Sequence, residues 1–351
     1  MKKVLRYLKG GFPFICFVLL LGCNHTEKTA NGEEIHTFRT TIQTPPVALM
    51  SKGFDAYLNE IEEKSEGRIK FERYYSESLV KSGDVLDALD AGIADIGIII
   101  PSQLSSKLPL NSVIYTPSIY ENSWAGGKAI HDLYQMEPAL NKELSKYNVM
   151  YAGELAVPSN YIFTDKPVTS IKELKGLRLV AQGDQGILIQ KLGAIPISIT
   201  STESFEALQR GTVDGAVFNI TAATTYNLEK VAKYLYKLPL GGAGLLIGMN
   251  EEKFEELPED LKYIIHDVAK SNAETFHQIY QMNGDQIALK KIQSSHGVIT
   301  EAKAEDITKL QNIAEREVFT NWARRSGSQA KNILDTFIEL GDKYEAEYPY
   351  K

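Results

Sequence analysis

The sequence predicts an α/β fold built as two lobes of similar construction. From Ile35 onward, apolar residues alternate between the spacing of a strand and the spacing of a helix, which indicates a largely parallel sheet. A short motif recurs 119 residues further along the chain. The chain has 351 residues with an ordinary apolar content, which is enough for two cores.

The N-terminus has the features of an export signal. Basic residues occupy positions 2, 3, 6 and 9, and an apolar run of ten residues follows from Phe12 to Leu21. This run is too short to cross a bilayer, which takes about 20 apolar residues, and it is typical of a secretory signal. Leu20-Leu21-Gly22-Cys23 resembles a bacterial lipobox. We therefore predict that residues 1–22 are a lipoprotein signal peptide and that Cys23 is lipidated; the alternative is an ordinary signal peptide with a chance cysteine.

The composition of the remaining chain excludes several kinds of partner and site. Removal of residues 1–22 takes away four basic residues, which changes the formal net charge from −7 to −11. An acidic chain is a poor ligand for nucleic acid or for an anionic membrane surface. The only cysteines are Cys16 and Cys23, so no thiol remains for a disulfide, a zinc site or a nucleophile. Residues 23–35 are mostly polar and predict a flexible tether.

The first half of the chain shows a regular order of strands and helices. Strands are predicted at 36–43 and 68–74, with a helix between them whose apolar stripe spans 54–61. A second helix ends at Gly92, and the apolar run at 95–100 predicts a strand that is buried on both faces.

The motif that recurs is Ala-Leu-x-x-Gly-x-x-Asp, at 88–95 and again at 207–214. In both copies an amphipathic helix ends at the glycine, and the aspartate leads into a strand. Coincidence is the alternative, because a helix followed by glycine and a strand is common. Two related lobes are the better interpretation, and they imply a ligand cleft where the carboxyl ends of the two sheets face each other.

The rest of the chain predicts two crossings between the lobes and a long helix across both. The crossings are Met150–Thr164 and the glycine-rich segment 240–250, whose glycines suit a hinge. A helix of about 32 residues, ~48 Å long, begins near Leu257. The elements predicted after it are a short strand at Val298–Thr300 and helices near 304–325 and 328–346.

These boundaries give a predicted division of the chain into five parts. The signal peptide and tether come first. The remaining parts are lobe I (36–155 plus about 245–283), lobe II (156–244 plus about 284–325) and a C-terminal helix (326–351).

Three segments in lobe II resemble one known family. They are Ile171-Lys-Glu-Leu-Lys-Gly-Leu-Arg-Leu, Leu192-Gly-Ala-Ile-Pro-Ile and Phe205-Glu-Ala-Leu-Gln-Arg-Gly-Thr-Val-Asp-Gly. Together with the motifs of the first half, they look like the DctP-type solute receptors of TRAP transporters, over roughly residues 36–325. The resemblance implies the two-lobed periplasmic-binding-protein (Venus flytrap) fold, an extracytoplasmic location, no catalysis and no cofactor. It also implies delivery of a small solute to the membrane permease subunits of an ion-driven transporter.

The pocket positions depart from the usual pattern of that family. The family usually has an arginine that clamps a ligand carboxylate, and Val180 stands at that position. Arg178 lies two residues earlier on the same strand face, away from the expected pocket. Phe218 stands where the family has an asparagine, and Asn219 follows it. We therefore expect a ligand with no carboxylate or with a substantial apolar part. The alternative is a carboxylate held by hydroxyl, amide and backbone N–H groups.

Further candidate ligand-binding residues follow strand ends or lie on the first crossing. Each has ordinary packing as its alternative role. They are Ser102, Gln182, Ser159, Asn160, Tyr161, Tyr75 and Tyr226.

Rival functions have weaker support in the sequence. Ser78-Leu-Val-Lys81 matches the Ser-x-x-Lys motif of penicillin-interacting enzymes, but no Lys-Thr-Gly or Ser-Asp-Asn accompanies it. The six histidines are scattered, so we predict no metal site. A binding protein is therefore favoured over an enzyme. A lipoprotein that presents its bound solute to a signalling partner stays open as an alternative to transport.

Overall fold

The computed structural model describes residues 28–29 and 32–349, so the predicted signal peptide and Cys23 lie outside the described residues. The strands, in chain order, are β1 (His36–Thr41), β2 (Ile69–Tyr74), β3 (Ile96–Ile99), β4 (Val149–Val157), β5 (Tyr161–Thr164), β6 (Arg178–Val180), β7 (Ile195–Ile197), β8 (Gly215–Phe218), β9 (Tyr234–Lys237), β10 (Ala243–Asn250) and β11 (Val298–Glu301).

Helices account for most of the remaining described chain, with short 3₁₀ turns between them. They are α1 (Leu49–Lys64), α2 (Val85–Asp90), α3 (Ser123–Met136), α4 (Pro138–Leu144), α5 (Gly183–Lys191), α6 (Ser204–Gln209), α7 (Ile220–Thr225), α8 (Glu251–Glu255), α9 (Glu259–Phe276), α10 (Asn283–Ser294), α11 (Ala304–Ile313), α12 (Thr320–Ser326) and α13 (Ala330–Glu347).

The strands form two sheets, one in each lobe, which confirms the predicted two-lobed α/β fold. The sheet of lobe I has the order β2-β1-β3-β10-β4, and that of lobe II has the order β11-β9-β5-β8-β6-β7. Each sheet is parallel except for one strand, β10 in lobe I and β5 in lobe II. These two strands are the ones that enter a lobe from the other lobe. The antiparallel strand of each sheet therefore marks a crossing.

Helix α1 illustrates how the sequence positions these elements. Phe54, Tyr57, Leu58 and Ile61 recur at helical spacing, and all four are buried against the sheet of lobe I. The helix ends before Gly67, which has a φ of +77° and whose N–H donates to the carbonyl of Glu62. A glycine in this conformation closes the helix and directs the chain into β2.

The two crossings lie side by side and are hydrogen-bonded to each other. The N–H of Asn160 donates to the carbonyl of Gly241, and the N–H of Leu240 donates to the carbonyl of Asn160. The buried hydroxyl of Ser159 accepts from the N–H of Gly241 at 3.0 Å. These bonds join the segments between the lobes into one narrow ribbon. The division of the chain between the lobes at 155/156 and 244/245 stays a prediction.

A long helical rod runs across both lobes, as predicted. It comprises α9, a π-helical segment at His277–Met282, and α10. Leu261 and Ile265 of α9 are buried in the core of lobe I, whereas Ala288 and Ile292 of α10 are buried in the core of lobe II.

The helices at the C-terminal end return the chain to lobe I. Val318 of the π-helical segment Ala314–Phe319 is buried in lobe II, but Trp322 of α12 is buried in lobe I, where its indole N–H donates to Ser112 Oγ at 2.8 Å. Helix α13 then packs Ile333 and Phe337 into the same core. The last residues of the described chain are therefore part of the first lobe. Across 28–29 and 32–349, every helix is too short or too polar to cross a membrane.

Candidate functional site

A cleft of about 520 Å³ lies between the two lobes. It is lined by the residues that follow the carboxyl ends of four strands, β1 and β3 in lobe I and β6 and β8 in lobe II. Ligands of open α/β sheets bind at such strand ends, because the connecting loops and helix N-termini meet there. The position agrees with the one expected from the recurring motif.

The lining of this cleft is polar but almost without charge. Six carboxamide side chains line it, from Gln43, Gln103, Asn160, Gln182, Gln185 and Asn219. Hydroxyl groups of serine, threonine and tyrosine lie among them, together with apolar residues such as Leu49, Val180 and Leu245. Glu77 is the one ionisable acid in the lining, and arginine, lysine and histidine do not occur among the described residues that line it.

An aromatic pair forms part of the lobe II wall. The rings of Phe218 and Tyr226 lie 5.8 Å apart, centroid to centroid, at an angle of 59°. Burial raises the pKa of the Tyr226 hydroxyl above its ordinary value, and the Ser201 hydroxyl partly opposes this rise. The hydroxyl therefore stays protonated at neutral pH and remains able to donate a hydrogen bond. The pair provides an apolar aromatic surface beside a polar group.

Asn219 occupies the junction between β8 and α7. Strand β8 ends at Phe218, so the rule that neighbouring strand residues face opposite ways no longer applies to Asn219. Its Oδ1 accepts from the N–H of Ala222 at 2.8 Å and from the hydroxyl of Tyr280 at 3.2 Å. Asn219 thus reaches the cleft while it caps α7 and binds the long helical rod.

Arg178 takes no part in the cleft. Its guanidinium binds Asp214, with Nε 3.0 Å from Oδ2 and Nη2 2.7 Å from Oδ1, and it also donates to the carbonyl of Gly211. This bond holds the pKa of the Asp214 carboxyl below its ordinary value. The expectation that Arg178 lies away from the pocket agrees with this geometry.

The structure brings seven of the ten predicted ligand-binding residues together in the lining. They are Ser102, Asn160, Val180, Gln182, Phe218, Asn219 and Tyr226.

The other three lie outside the lining, each for a physical reason. Ser159 is fully buried in the ribbon between the crossings. The hydroxyl of Tyr75 donates to Asp55 Oδ1 at 2.7 Å, and its ring packs on the core of lobe I. The ring of Tyr161 lies against lobe II, with Lys237 Nζ 6.0 Å from its centroid.

Several residues that line the cleft were not predicted from the sequence. Gln43 and Thr44 follow the end of β1, just as Ser102 follows the end of β3, so their positions after a strand would have indicated them too. Gln185 lies in the first turn of α5, three residues after Gln182. Tyr115 and Tyr280 come from a 3₁₀ turn and from the π-helical segment of the rod, and no local pattern connects either to the cleft.

The model of the family described as bacterial extracellular solute-binding protein, family 7 (DctP), matches residues 42–324. The chain belongs to this family. It is a DctP-type solute-binding protein of the TRAP class, an extracytoplasmic binding protein and not an enzyme. The predicted resemblance, fold and absence of catalysis are thereby confirmed.

Individual relatives of this family-7 protein are distant. A solute-binding protein of Albidiferax ferrireducens is 22% identical over 282 residues, which cover 78% of this chain and 81% of that one. The C4-dicarboxylate-binding periplasmic protein DctP of Rhodobacter capsulatus is 27% identical over 59% of this chain and 63% of its own.

Solved structures of TRAP solute-binding proteins share the fold. One from Desulfovibrio salexigens has a TM-score of 0.79 at 22% identity, with 90% of this chain and 98% of that one covered. One from Rhodoferax ferrireducens, in complex with copurified benzoate, has a TM-score of 0.79 at 21% identity and covers 89% and 99% of the two chains.

Proposed function

We propose that this family-7 protein captures a neutral or partly apolar solute outside the cytoplasm and delivers it to the permease subunits of a TRAP transporter. The observation that carries this proposal is the lining of the cleft, which offers carboxamides, hydroxyls and rings but no cationic side chain among its described residues. A desolvated carboxylate is costly to bury unless a cation or several donors compensate for it. Val180 provides neither.

Capture would proceed by closure of the two lobes about the ribbon that joins them. The cleft is lined from both lobes, so a solute in it would contact both and favour the closed arrangement by its difference in affinity for the two states. Gly183 of lobe II already lies close to Ser102 of lobe I, since a Cβ on Gly183 would stand 3.5 Å from the Ser102 Cβ. The two lobes thus meet at one rim of the cleft.

A second candidate ligand class is an organic acid. Structural neighbours with this fold were obtained with benzoate, β-D-galacturonate and pyroglutamic acid. Six carboxamides and several hydroxyls could hold such an acid without an arginine, as a carboxylate is bound well by multiple N–H and O–H donors. The two ligand classes predict opposite orders of affinity for an acid and its matching amide.

The test is a thermal-shift comparison of the purified mature protein with benzoate, benzamide and benzylamine, followed by wider sets of matched acids, amides and amines. A solute that binds only the folded state adds about 2.7 kcal/mol of stability at one hundred times its Kd. We expect the amides to raise the Tm and the matching acids to leave it unchanged. Strong shifts with simple carboxylates would refute a neutral ligand and support the second class.

We also propose that the protein is held at the membrane by lipid on Cys23, as the lipobox motif Leu20–Cys23 indicates. The test is expression of the full chain and of Cys23→Ser in a bacterial host, with radiolabelled palmitate. Label and membrane association of the parent, both lost in the variant, are expected. A parent chain that is secreted without label would contradict the anchor.

A further inference from the structure

The first turn of α5 opens on the cleft. Val180 ends β6, and Ala181, Gln182 and Gln185 follow it into the lining. The first N–H groups of any α-helix have no partner within the helix. The residue before the helix, Gln182, makes no side-chain cap to these N–H groups, and its Nε2 donates to the carbonyl of Ile199.

Gln185 supplies a second, independent observation at this place. Its side chain is 5% exposed, yet its Nε2 has no hydrogen-bond partner among the residues that the structure describes. An unpaired buried amide costs about 1–3 kcal/mol, so one that lines a cleft gains stability when a group in that cleft accepts from it. Gln185 also lines the same cleft as Val180, which stands at the position of the usual family arginine and ends the strand before α5.

The acidic residue of the same turn is already neutralised. Asp184 accepts from Arg325 Nη2 at 2.6 and 2.7 Å through its two carboxylate oxygens. The donors of the turn are therefore left for a group in the cleft. Across the rim, Ser102 of lobe I lies beside the same turn, as its Cβ is 3.5 Å from the place of a Gly183 Cβ.

We propose that the first turn of α5, together with the Gln185 carboxamide, is the subsite that binds a hydrogen-bond-accepting oxygen of the solute. Its N–H donors replace the guanidinium that Val180 lacks. This inference rests on the proposed binding function and narrows it to solutes that carry a carbonyl, amide or similar oxygen. The free N–H groups of a helix N-terminus can donate to any acceptor oxygen, and the helix dipole adds attraction for an anionic one. The absence of a cation from the described lining favours the neutral kind.

The experiment compares the parent with Gln185→Met, which keeps the length of the side chain and removes its polar atoms. Gln190→Met, on the exposed face of the same helix, is the matched control. Without ligand, Q185M should melt at the same temperature as the parent or higher, because an unpaired amide is removed. A clear drop in Tm for Q185M, but not for Q190M, would mean that the amide already has a structural partner and would overturn the subsite.

The second arm uses benzamide and benzoate as probes. We expect the benzamide shift of the parent to be lost in Q185M and kept in Q190M. An unchanged shift in Q185M would overturn the subsite. If benzoate, and not benzamide, shifts the parent and loses its effect in Q185M, the subsite stands and the neutral ligand proposed above falls. If neither probe changes the Tm of the parent, the subsite is judged by the Tm values of Q185M and Q190M without ligand.

Discussion

Arg178 and Asp214 form in lobe II the same ion pair that Arg39 and Asp95 form in lobe I. In both lobes Nε and Nη2 bind the two carboxylate oxygens, at 3.0 and 2.7 Å in lobe II and at 3.1 and 3.2 Å in lobe I. The backbone N–H of each arginine also donates to its aspartate, and each guanidinium reaches the carbonyl of the motif glycine, Gly211 or Gly92. The recurring aspartate therefore locks a helix end to a neighbouring strand.

The first prediction concerns this pair. Arg178→Gln should lower the Tm by a few degrees and leave solute affinity unchanged, because the arginine fixes the turn before β8 and lies outside the cleft. Thermal unfolding measures the Tm, and titration with a solute that binds the parent measures the affinity. Arg210→Gln is the control, since Arg210 forms an exposed i,i+4 pair with Glu206, a kind of pair that contributes little. A loss of affinity in R178Q at unchanged Tm would contradict this role.

The second prediction restores the usual family arginine. Val180→Arg should create affinity for carboxylates, because a guanidinium in this cleft would meet no competing cation and would make charge-assisted hydrogen bonds of about 1.5–3 kcal/mol. Binding of benzoate, measured by calorimetry, should tighten at least about tenfold. Val180→Met adds similar length without charge and should leave benzoate binding as it is in the parent. Equal gains in both variants would show that size, not charge, limits binding.

The third prediction concerns a buried acid beside the long rod. Glu154 is 1% exposed, and its Oε1 has no partner among the described residues. Burial raises the pKa of its carboxyl from 4.5 to about 8, although the Tyr151 hydroxyl and Lys128 act in the opposite direction. At a pH between these two pKa values, the carboxyl is protonated in the folded state and ionised in the unfolded state. The free energy of unfolding should therefore fall as the pH rises from about 4.5 to about 8.

Glu154→Gln should remove this dependence and stabilise the protein at pH 8 more than at pH 5. Urea unfolding across that range measures it. Glu206→Gln, an exposed change, should leave the slope as it is in the parent. If E154Q shows the slope of the parent, other groups titrate in this range.

The fourth prediction concerns the ribbon between the lobes. Gly241 has a φ of +87°, and a Cβ at this position would lie 2.0 Å from the backbone nitrogen of Ser118. Gly241→Ala should therefore cost at least about 2 kcal/mol of unfolding free energy, from backbone strain and from the clash. Gly83→Ala is the control, because a Cβ there would meet no atom within 4 Å. If G241A and G83A unfolded at similar urea concentrations, the close approach of Gly241 to the Ser118 backbone would not limit the side chain at position 241.

The parts of the fold that local pattern and local chemistry determine were predictable from the sequence. Helix α1 followed from the spacing of its apolar residues, and the two lobes followed from the repeated motif. The pairing of Arg178 with Asp214 was not predictable from local pattern, because 36 positions of chain separate the two residues. Tyr280 and Tyr115 reach the cleft only through the packing of the rod and of a turn. Tyr75 resembled a pocket residue but had a nearer partner in Asp55.

The return of the C-terminal helices to lobe I has a consequence for the order in which the protein matures. Trp322 and Phe337 complete a core whose other members begin at Val85. A chain that leaves a ribosome or a translocation channel N-terminus first thus presents most of lobe I before the residues that seal it. The last buried member of the lobe II cores is Val318, so these cores can be completed while the C-terminal residues are still emerging. We accordingly expect this core of the N-terminal lobe to be the last to become resistant to proteases, and to depend most on release of the complete chain.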